Sequence, residues 1–377
     1  MSRSRKSNKK SVNKRLGLIL LLEVLVFVGL LIGYGVYYFN NAMNLMMTDD
    51  TVSKEDIDVS EAVTETMEET YTTIALFGLD TREKNANLTS SGVAHSDAVI
   101  LVSINNNTKE VRMASVYRDC FMEIASNTPT TQKFTHAYLL GGPTCSVETL
   151  NRNLDLNIKD YVAVDFQALS AAIDALGGVT INVKSNEITN LNKNIEEQVQ
   201  VTGKYSEGVW SDGKQTLNGT QATAYARIRK VGHGDFERTQ RQRKVIEAMI
   251  AKAKESDLAT LNNVVNEVFP MVATNITKTQ VLSLASGLLD YEMGESMGFP
   301  SANRTPTVGS KGSLVVAADL FHNVEYLHEF LYPEDTEYVP SDTVQRISDA
   351  IINETGVYNE FSEKHKTEEK TQTNSNE

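Results

Sequence analysis

The stretch DAVILVSINNNTKEVRMASVYRD, residues 97–119, contains two runs rich in apolar and β-branched residues on either side of three asparagines. The runs, about Ala98–Ile104 and Glu110–Val116, are typical of strands, and the Asn-rich segment between them is typical of a turn. Two strands joined by so short a turn pair antiparallel. The stretch therefore predicts a β-hairpin that brings Asp97 close to Arg118 at one end of a sheet.

A third apolar run, TTIALFGLD at residues 72–80, predicts a strand that ends at Asp80. If this strand is parallel to the second arm of the hairpin, Asp80 joins Asp97 and Arg118 at the same sheet end. Carboxylates beside arginines suit a divalent cation and a phosphate, because Mg²⁺ takes oxygen ligands from one or two carboxylates, from phosphate and from water. Each aspartate taken singly is also a common residue at a strand end, so a purely structural role stays open.

The remaining chain alternates between helical and strand patterns. Apolar spacing predicts helices near Thr144–Asn153 and Phe166–Leu176, and VTINV at residues 179–183 predicts another strand. Residues 184–221 are polar and turn-rich, which predicts an irregular lid or surface excursion. We therefore predict the α/β class, with a mixed central β-sheet flanked by helices on both faces as an α-β-α sandwich.

The beginning of the chain has the pattern of a membrane anchor. Residues 1–15 contain seven basic residues and no acid, and residues 16–39 are apolar except for Glu23. A run of this length spans the hydrocarbon layer as a helix, and the positive-inside rule places its basic flank in the cytoplasm. We predict a cytoplasmic tail 1–15, a transmembrane anchor 16–39, a solvated extracellular stalk 40–70, a globular extracellular domain 71–357 and a disordered tail 358–377.

The charge of the predicted exterior excludes one class of partner. The 377-residue chain has a formal charge of -13, and removal of the seven basic residues of the tail leaves 29 basic against 49 acidic residues. An acidic exterior argues against general nucleic-acid or anionic-lipid binding. A local basic cluster in such a chain indicates a specific site.

That cluster lies in ATAYARIRKVGHGDFERTQRQRKVIEAM, residues 222–249. In YARIR, Arg227 and Arg229 are two residues apart, which predicts a strand with both guanidinium groups on one face. After a Gly-containing loop, Arg238 and Gln242 are four residues apart, which predicts one face of a helix. Several guanidinium groups would then point at one anion, because their planar forks suit phosphate oxygens. A solvated basic face is the simpler alternative, and we expect Lys230, Arg243 and Lys244 to be solvated surface.

Other chemistries receive little support. The sequence has no Walker loop, no dinucleotide-binding glycine motif, no nucleophile elbow and no H-E-x-x-H. Six scattered histidines do not form zinc-binding pairs, and only His233, inside the basic stretch, is kept as a contributor to the site. Cys120 and Cys145 are the only cysteines, and their sequence positions leave a disulfide and two free thiols equally open.

With these residues in hand, the chain resembles the LytR-CpsA-Psr family. The resemblance covers residues 72 to about 356 and the predicted anchor. Seven motifs occur in family order: GLDTR (78–82), HSDA (95–98), SVYRD (115–119), HAYLLGG (136–142), DALGGV (174–179), LNGTQATAYARIR (217–229) and DFERTQRQ (235–242).

The resemblance implies membrane-anchored enzymes of Gram-positive bacteria that attach glycopolymers, such as wall teichoic acid or capsular polysaccharide, to the cell wall. Their donor is a polymer on a polyprenyl-pyrophosphate carrier, and their acceptor is the C6 hydroxyl of N-acetylmuramic acid in peptidoglycan. The resemblance also implies a cofactor, Mg²⁺ or Mn²⁺, and an apolar groove for the lipid. It assigns Asp80, Asp97 and Arg118 to catalysis, Asp80 and Asp97 also to the metal, and the pyrophosphate to Arg82, Arg227, Arg229, Arg238 and Gln242. Arg241 and Asp235 share the last motif and are expected either to touch the substrate or to hold the others in place.

This chemistry agrees with the residues, because phosphoryl transfer needs positioning and neutralisation of oxyanion charge more than covalent help. Asp97 or a metal-bound water is the expected base. Three alternatives stay open: a polyprenyl-pyrophosphate pyrophosphatase, a non-catalytic lipid carrier and, less favoured because of the predicted topology, a transcriptional regulator.

Overall fold

The computed structural model describes residues 37–48, 53–81, 86–92, 94–126, 128–232 and 235–357. The chain divides into two units, residues 1–45 and 46–377. In the first, residues 37–43 are helical. The described helices do not include one that is both long and apolar enough to cross a membrane. The predicted cytoplasmic tail, nearly all of the predicted anchor and the predicted disordered tail fall outside the described ranges.

A mixed sheet forms the centre of the second unit. The strands of the unit, in chain order, are β1 (Met47–Thr48), β2 (Tyr71–Asp80), β3 (His95–Asn105), β4 (Glu110–Val116), β5 (Phe121–Ile124), β6 (Thr130–Lys133), β7 (Asp160–Asp165), β8 (Val179–Val183), β9 (Gly213–Leu217), β10 (Ala273–Thr274), β11 (Glu292–Phe299), β12 (Asn303–Arg304), β13 (Thr307–Val308), β14 (Gly312–Ser313) and β15 (Val316–Ala317). Seven of them form the central sheet, in the order β1-β10-β7-β2-β3-β4-β11, and the others pair in small two-stranded sheets. Strand β2 is antiparallel to β3 but parallel to β7.

Helices cover both faces of this sheet. They are α1 (Glu65–Thr70), α2 (Thr135–Leu154), α3 (Phe166–Ala175), α4 (Ile188–Thr202), α5 (Gly219–Ala226), α6 (Asp235–Glu255), α7 (Leu258–Val268), α8 (Lys278–Ser286), α9 (Leu320–Leu331) and α10 (Asp342–Thr355). The main core includes Phe77 of β2, Leu150 of α2 and Leu327 of α9, and a second core joins α3, α4, α5 and α6 with β8 and β9. The predicted α/β class, with a mixed sheet between helices, is confirmed.

The predicted hairpin is confirmed as β3 and β4. Ile100 lies opposite Ser115 and Ile104 opposite Val111 in the antiparallel ladder. The Asn105 side chain closes the turn, because its oxygen accepts from the backbone N–H of Asn107 at 2.9 Å and of Thr108 at 3.0 Å. Since β2 and β4 both run antiparallel to β3, Asp80 comes to the same sheet end as the hairpin's open ends.

The predicted strand at YARIR is wrong, because residues 219–226 form helix α5. A capping box starts this helix: Asn218 Oδ1 accepts from Gln221 N at 2.9 Å, and Gln221 Oε1 accepts from Asn218 N at 3.0 Å. Every residue of α5 except Gln221 is buried. A helix that is buried nearly all round shows no amphipathic period, which is the signal that predicts a helix from sequence.

Two segments predicted to be irregular or solvated are ordered. Within residues 184–221, α4 buries Leu191 and Ile195, and β9 pairs antiparallel with β8. Ile188, Leu191, Ile195 and Val199 recur at helical spacing and pack in or against the second core, so the sequence contained a helical period that the prediction did not use. The stalk prediction is also wrong for residues 53–70, because Ile57 and Met67 belong to the main core and Thr64 caps α1.

Candidate active site

A polar cleft of about 280 Å³ lies at the sheet end where β2 finishes and β3 begins. The sheet contributes two carboxylates, and the segment from α5 to α6 contributes most of the cations. Its lining residues are Asp80, Asp97, Phe166, Asn190, Lys193, Asn194, Glu197, Ala226, Arg227, Arg229, Lys230, Arg238 and Gln242.

A β-bulge directs Asp97 into this cleft. In the β2–β3 ladder Gly78 lies opposite Ala98 but Leu79 lies opposite Ser96, so Asp97 is the extra residue of β3. By strict alternation Asp97 would share a face with Val99, which is buried in the main core. A bulge shifts this alternation, and Asp97 therefore lines the cleft together with Asp80.

Asp97 holds three arginines that come from three parts of the chain. Arg118, in the turn after β4, donates from Nη1 to both carboxylate oxygens of Asp97, at 2.9 and 3.1 Å. Arg229 Nη2 donates to Oδ2 at 3.1 Å, and Arg238 Nη2 donates to the backbone carbonyl at 3.1 Å. The Asp97 side chain is only 12% exposed, so these charge-assisted bonds fix the guanidinium groups in place.

Arg227 and Arg229 reach the cleft from the irregular segment after α5. Arg227 ends the helix, and its guanidinium carbon lies 5.3 Å from the centroid of the Phe166 ring, within cation–π range. Ile228, between the two arginines, is buried in the second core. The prediction that Arg227 and Arg229 share one side is therefore met, although a helix end and a loop produce it.

Helix α6 presents Arg238 and Gln242 to the cleft one turn apart. Both are nearly buried, at 2% and 8% exposure. Within the described part of the chain, Gln242 Oε1 is a buried atom with no hydrogen-bond partner. If the side-chain amide of Gln242 rotates by 180°, its NH₂ group takes the place of Oε1. The amide can then donate hydrogen bonds to an oxyanion in the cleft.

Arg241 has a structural place away from the cleft. Its Nε donates to Glu187 Oε1 at 2.8 Å, its Nη2 to Glu237 Oε2 at 3.0 Å and its Nη1 to the carbonyl of Ile228 at 3.1 Å. These bonds connect α6 to the turn before α4 and to the segment after α5 that carries Arg227 and Arg229. Of the two roles expected for Arg241, the geometry favours holding the other residues in place.

One prediction of solvated surface is wrong. Lys230 is exposed as predicted, although it also lines the cleft, whereas Arg243 is 5% exposed with its Nη1 donating to Ser115 Oγ at 2.6 Å. Burial lowers the pKa of the Arg243 guanidinium. The sequence shows Arg243 only as one more basic residue, because its burial depends on how α6 packs across β4.

Sequence reasoning missed an entire wall of the cleft. Asn190, Lys193, Asn194 and Glu197 of α4 all line it, and all fall within residues 184–221. Their spacing at i, i+3, i+4 and i+7 puts them on one helix face, and the interleaved Leu191 and Ile195 are buried. This interleaving of apolar and polar positions was the sequence signal for a helix with one buried and one polar face. A polar helix face by itself does not indicate a binding site.

Some predicted residues do not meet in the cleft. Arg118 touches Asp97 but is not among the lining residues, and Arg82 and His233 lie outside the described ranges. Cys120 and Cys145 are buried free thiols, so the open question of a disulfide is answered in favour of free cysteines. Burial raises the pKa of both thiols, that of Cys145 to about 11.

The donor set for a cation consists of two carboxylates. Across the described ranges no group of three or more His, Cys, Asp or Glu side chains is placed to hold a metal. Asp80 and Asp97 nevertheless line one cleft with several cationic side chains. This set fits a cation such as Mg²⁺, which takes few protein ligands and completes its shell with phosphate oxygens and water.

A mixed sheet between helical layers, with arginines and carboxylates converging on one polar cleft, defines an α/β protein built to hold an anion. The LytR_cpsA_psr family model matches residues 34–312, about three quarters of the chain, and the protein belongs to this family.

Curated relatives are bacterial transferases. The chain is 31% identical over 227 residues to the polyisoprenyl-teichoic acid–peptidoglycan teichoic acid transferase TagT of Bacillus subtilis, covering 59% of this chain and 66%, just under two thirds, of TagT. It is 29% identical over 272 residues to the transferase TagU of Bacillus mycoides, covering 70% of this chain and 82% of TagU.

Solved structures share the fold. A Streptococcus agalactiae protein, gbs0355, superposes with a TM-score of 0.60 at 24% identity, covering 75% of this chain and 94% of that one. Bacillus subtilis TagV superposes with a TM-score of 0.55 at 24% identity, covering 72% of this chain and 99% of TagV.

Proposed function

We propose that this protein transfers a glycopolymer from a polyprenyl-pyrophosphate carrier to peptidoglycan, as a phosphotransferase. The observation that carries the proposal is the arrangement at Asp97, which holds Arg118, Arg229 and Arg238 at one end of the cleft. Fixed guanidinium groups stabilise the charge that develops on phosphate oxygens without reorganising during the reaction. The relatives named as polyisoprenyl-teichoic acid–peptidoglycan transferases support the donor and the acceptor.

In the proposed reaction the C6 hydroxyl oxygen of N-acetylmuramic acid attacks the phosphorus that carries the polymer. A new P–O bond forms, the bond from that phosphorus to the bridging oxygen breaks, and polyprenyl phosphate leaves with the electron pair. The product is a phosphodiester between polymer and peptidoglycan. In this proposal Arg227, Arg229, Arg238 and Gln242 bind the pyrophosphate, and their shared position in the lining of the cleft supports the assignment.

The hydroxyl proton needs an acceptor near the attacked phosphorus. Asp97 accepts three guanidinium bonds, and its carboxylate oxygens are therefore already engaged in positioning. Asp80 is an exposed carboxylate on the same wall. We assign Asp80 as the acceptor of the hydroxyl proton. The role of Asp97 is to position the arginines. This changes the expectation from sequence, which gave Asp97 or a metal-bound water as the base.

A divalent cation, Mg²⁺ or Mn²⁺, is part of the proposal. Asp80 and Asp97 would hold it, because they are the two sheet carboxylates of the cleft, and a carboxylate has about four acceptor sites, so each can take part while Asp80 also serves the proton and Asp97 the arginines. When bound, such a cation supplies additional neutralisation of the pyrophosphate oxygens. The arginines bind and orient the same oxygens.

We also propose that the catalytic domain lies outside the cell membrane, attached through residues 16–39. The basic residues 1–15 and the apolar run after them support this topology. An extracellular position brings the cleft to the peptidoglycan acceptor.

The decisive experiment combines the purified full chain, a polyprenyl-pyrophosphate-linked glycopolymer, peptidoglycan and Mg²⁺. Mass spectrometry of digested peptidoglycan should show polymer joined through phosphate to muramic acid, together with polyprenyl phosphate. The Arg118→Ala, Arg227→Ala and Arg229→Ala variants should lose this product. Release of free polymer phosphate at the same rate with and without peptidoglycan would identify a pyrophosphatase, and bound lipid without turnover would identify a carrier.

A further inference from the structure

Helix α4 gives the cleft a second wall that differs from the arginine wall. Its face carries Asn190, Lys193, Asn194 and Glu197, all of which line the cleft. The adjacent face of the helix is anchored in the second core by Leu191. The proposed reaction uses none of the side chains on this polar face.

The two walls differ in charge. Arg227, Arg229, Lys230 and Arg238 on the first wall face only two carboxylates, so that wall has an excess of positive charge. On the α4 wall Lys193 Nζ lies 3.9 Å from Glu197 Oε1, and this pair leaves no net charge. An anionic pyrophosphate is therefore attracted to the first wall, whereas the second has no such preference.

The α4 wall has donors and acceptors of both kinds. Each amide of Asn190 and Asn194 combines a carbonyl acceptor with two N–H donors, Lys193 adds donors and Glu197 adds acceptors. Hydroxyl and acetamido groups of a sugar also combine donors and acceptors. Phosphate oxygens, by contrast, only accept, so they gain little from an amide carbonyl or a carboxylate.

The helix that carries this wall is anchored to its surroundings by two asparagines. Asn194 Nδ2 donates to the carbonyl of Ala224 in α5 at 3.0 Å. On another side of α4, Asn192 exchanges two hydrogen bonds with the backbone of Val209, at 2.7 and 2.8 Å. Groups that are fixed before a ligand arrives lose little entropy on binding, which favours selective recognition.

We propose that this face of α4 binds the sugar that the donor carries next to its pyrophosphate, and that it determines which glycopolymer the enzyme accepts. The inference rests on the proposed function, since it takes a sugar-pyrophosphate donor as given. The sugar is covalently joined to the pyrophosphate, so a pyrophosphate on the arginine wall places the sugar inside the same cleft. The neutral, mixed hydrogen-bonding wall is the surface that suits it.

The test compares two ligands of the full chain in detergent: polyprenyl pyrophosphate, and the same lipid carrying a disaccharide. Affinities are measured by titration calorimetry for the unaltered protein and for a variant with Asn190→Ala, Lys193→Gln and Glu197→Gln, in which the wall keeps its zero net charge because both members of the ion pair are replaced. We expect the variant to bind the disaccharide lipid about tenfold more weakly, as for the loss of two hydrogen bonds, and to bind the bare lipid unchanged. The matched control is Glu196→Gln, because Glu196 is an exposed neighbour on α4 that does not line the cleft.

The outcomes separate this inference from the function on which it rests. Unchanged affinity for both ligands, or equal loss for both, overturns the sugar assignment and leaves the proposed function standing. If the variant shows a higher KM for peptidoglycan and an unchanged affinity for both donor lipids, the wall does not bind the donor sugar. That result would show that it binds the sugar of the acceptor instead. If the unaltered protein binds neither lipid, the proposed function fails and the inference fails with it.

Discussion

Arg241 Nε lies 2.8 Å from Glu187 Oε1, and the two side chains are only 4% and 3% exposed. This buried ion pair joins α6, which carries Arg238 and Gln242, to the turn that leads into α4. This ion pair connects the two walls of the cleft, in addition to the hydrogen bond from Asn194 to Ala224. Its disruption should alter stability as well as activity.

The first prediction concerns this pair. Arg241→Met leaves Glu187 as a buried charge without its main partner, and it should lower the free energy of unfolding by about 3–5 kcal/mol in urea titrations. The double variant with Glu187→Gln should recover most of that loss, because no uncompensated charge is left. Equal stability of the single variant and the unaltered protein would contradict the structural role given to Arg241.

The second prediction separates a cleft arginine from a surface one. Arg229 and Arg346 are both partly exposed, at 46% and 56%, and each pairs with a carboxylate. Arg229→Ala should lower kcat/KM about 100-fold, the usual effect of removing one donor to a developing oxyanion. Arg346→Ala, remote from the cleft, should leave transfer unchanged. Each should change the free energy of unfolding by less than about 1 kcal/mol, so an equal loss of activity in both would refute the site.

The third prediction concerns the cation. Asp80→Asn should raise the Mn²⁺ concentration needed for half-saturation at least about tenfold, measured by electron paramagnetic resonance with the pyrophosphate lipid present. A matched control is Asp290→Asn, since Asp290 is an exposed carboxylate outside the cleft. Identical Mn²⁺ titrations for Asp80→Asn and the unaltered protein would remove Asp80 from the metal site.

The fourth prediction concerns acid stability. Burial lowers the pKa of His328 to about 4, and its Nε2 lies 2.8 Å from the carbonyl of Leu154. Because the unfolded chain binds this proton near pH 6.5 and the folded chain does not, stability is lost as the pH falls from 6.5 towards 4. From pH 7 to pH 5 this residue should lower the free energy of unfolding by roughly 2 kcal/mol. His328→Gln should remove that part of the pH dependence, whereas His322→Gln, on the same helix and more exposed, should keep it.

The fifth prediction concerns the two thiols. Cys120 and Cys145 are buried and free, and burial raises the pKa of both. At pH 8 iodoacetamide should modify neither thiol within the time that labels both in urea, because neither forms an accessible thiolate. An intact mass 2 Da below that of the reduced chain would instead reveal a disulfide.

Local patterns were sufficient for the parts of the fold made by neighbouring residues. Two runs of apolar and β-branched residues around an Asn-rich turn predicted β3 and β4, and antiparallel pairing placed Asp97 beside Arg118. The same reasoning failed for α5 and α4. Nearly all of α5 is buried, so it has no clear period of 3.6. In α4 the period of Ile188, Leu191, Ile195 and Val199 is present, but the polar composition of residues 184–221 outweighed it in the prediction.

The sequence by itself determined the family, the hairpin, and the two carboxylates and three arginines that line the cleft, because these depend on short motifs and on the pairing of neighbouring strands. Only the tertiary structure decided how these side chains are directed and which others join them. The bulge that turns Asp97, the burial of Arg243 and the polar wall of α4 arise from contacts between elements far apart in the chain. Such contacts depend on how helices pack across the sheet, and no local spacing records them.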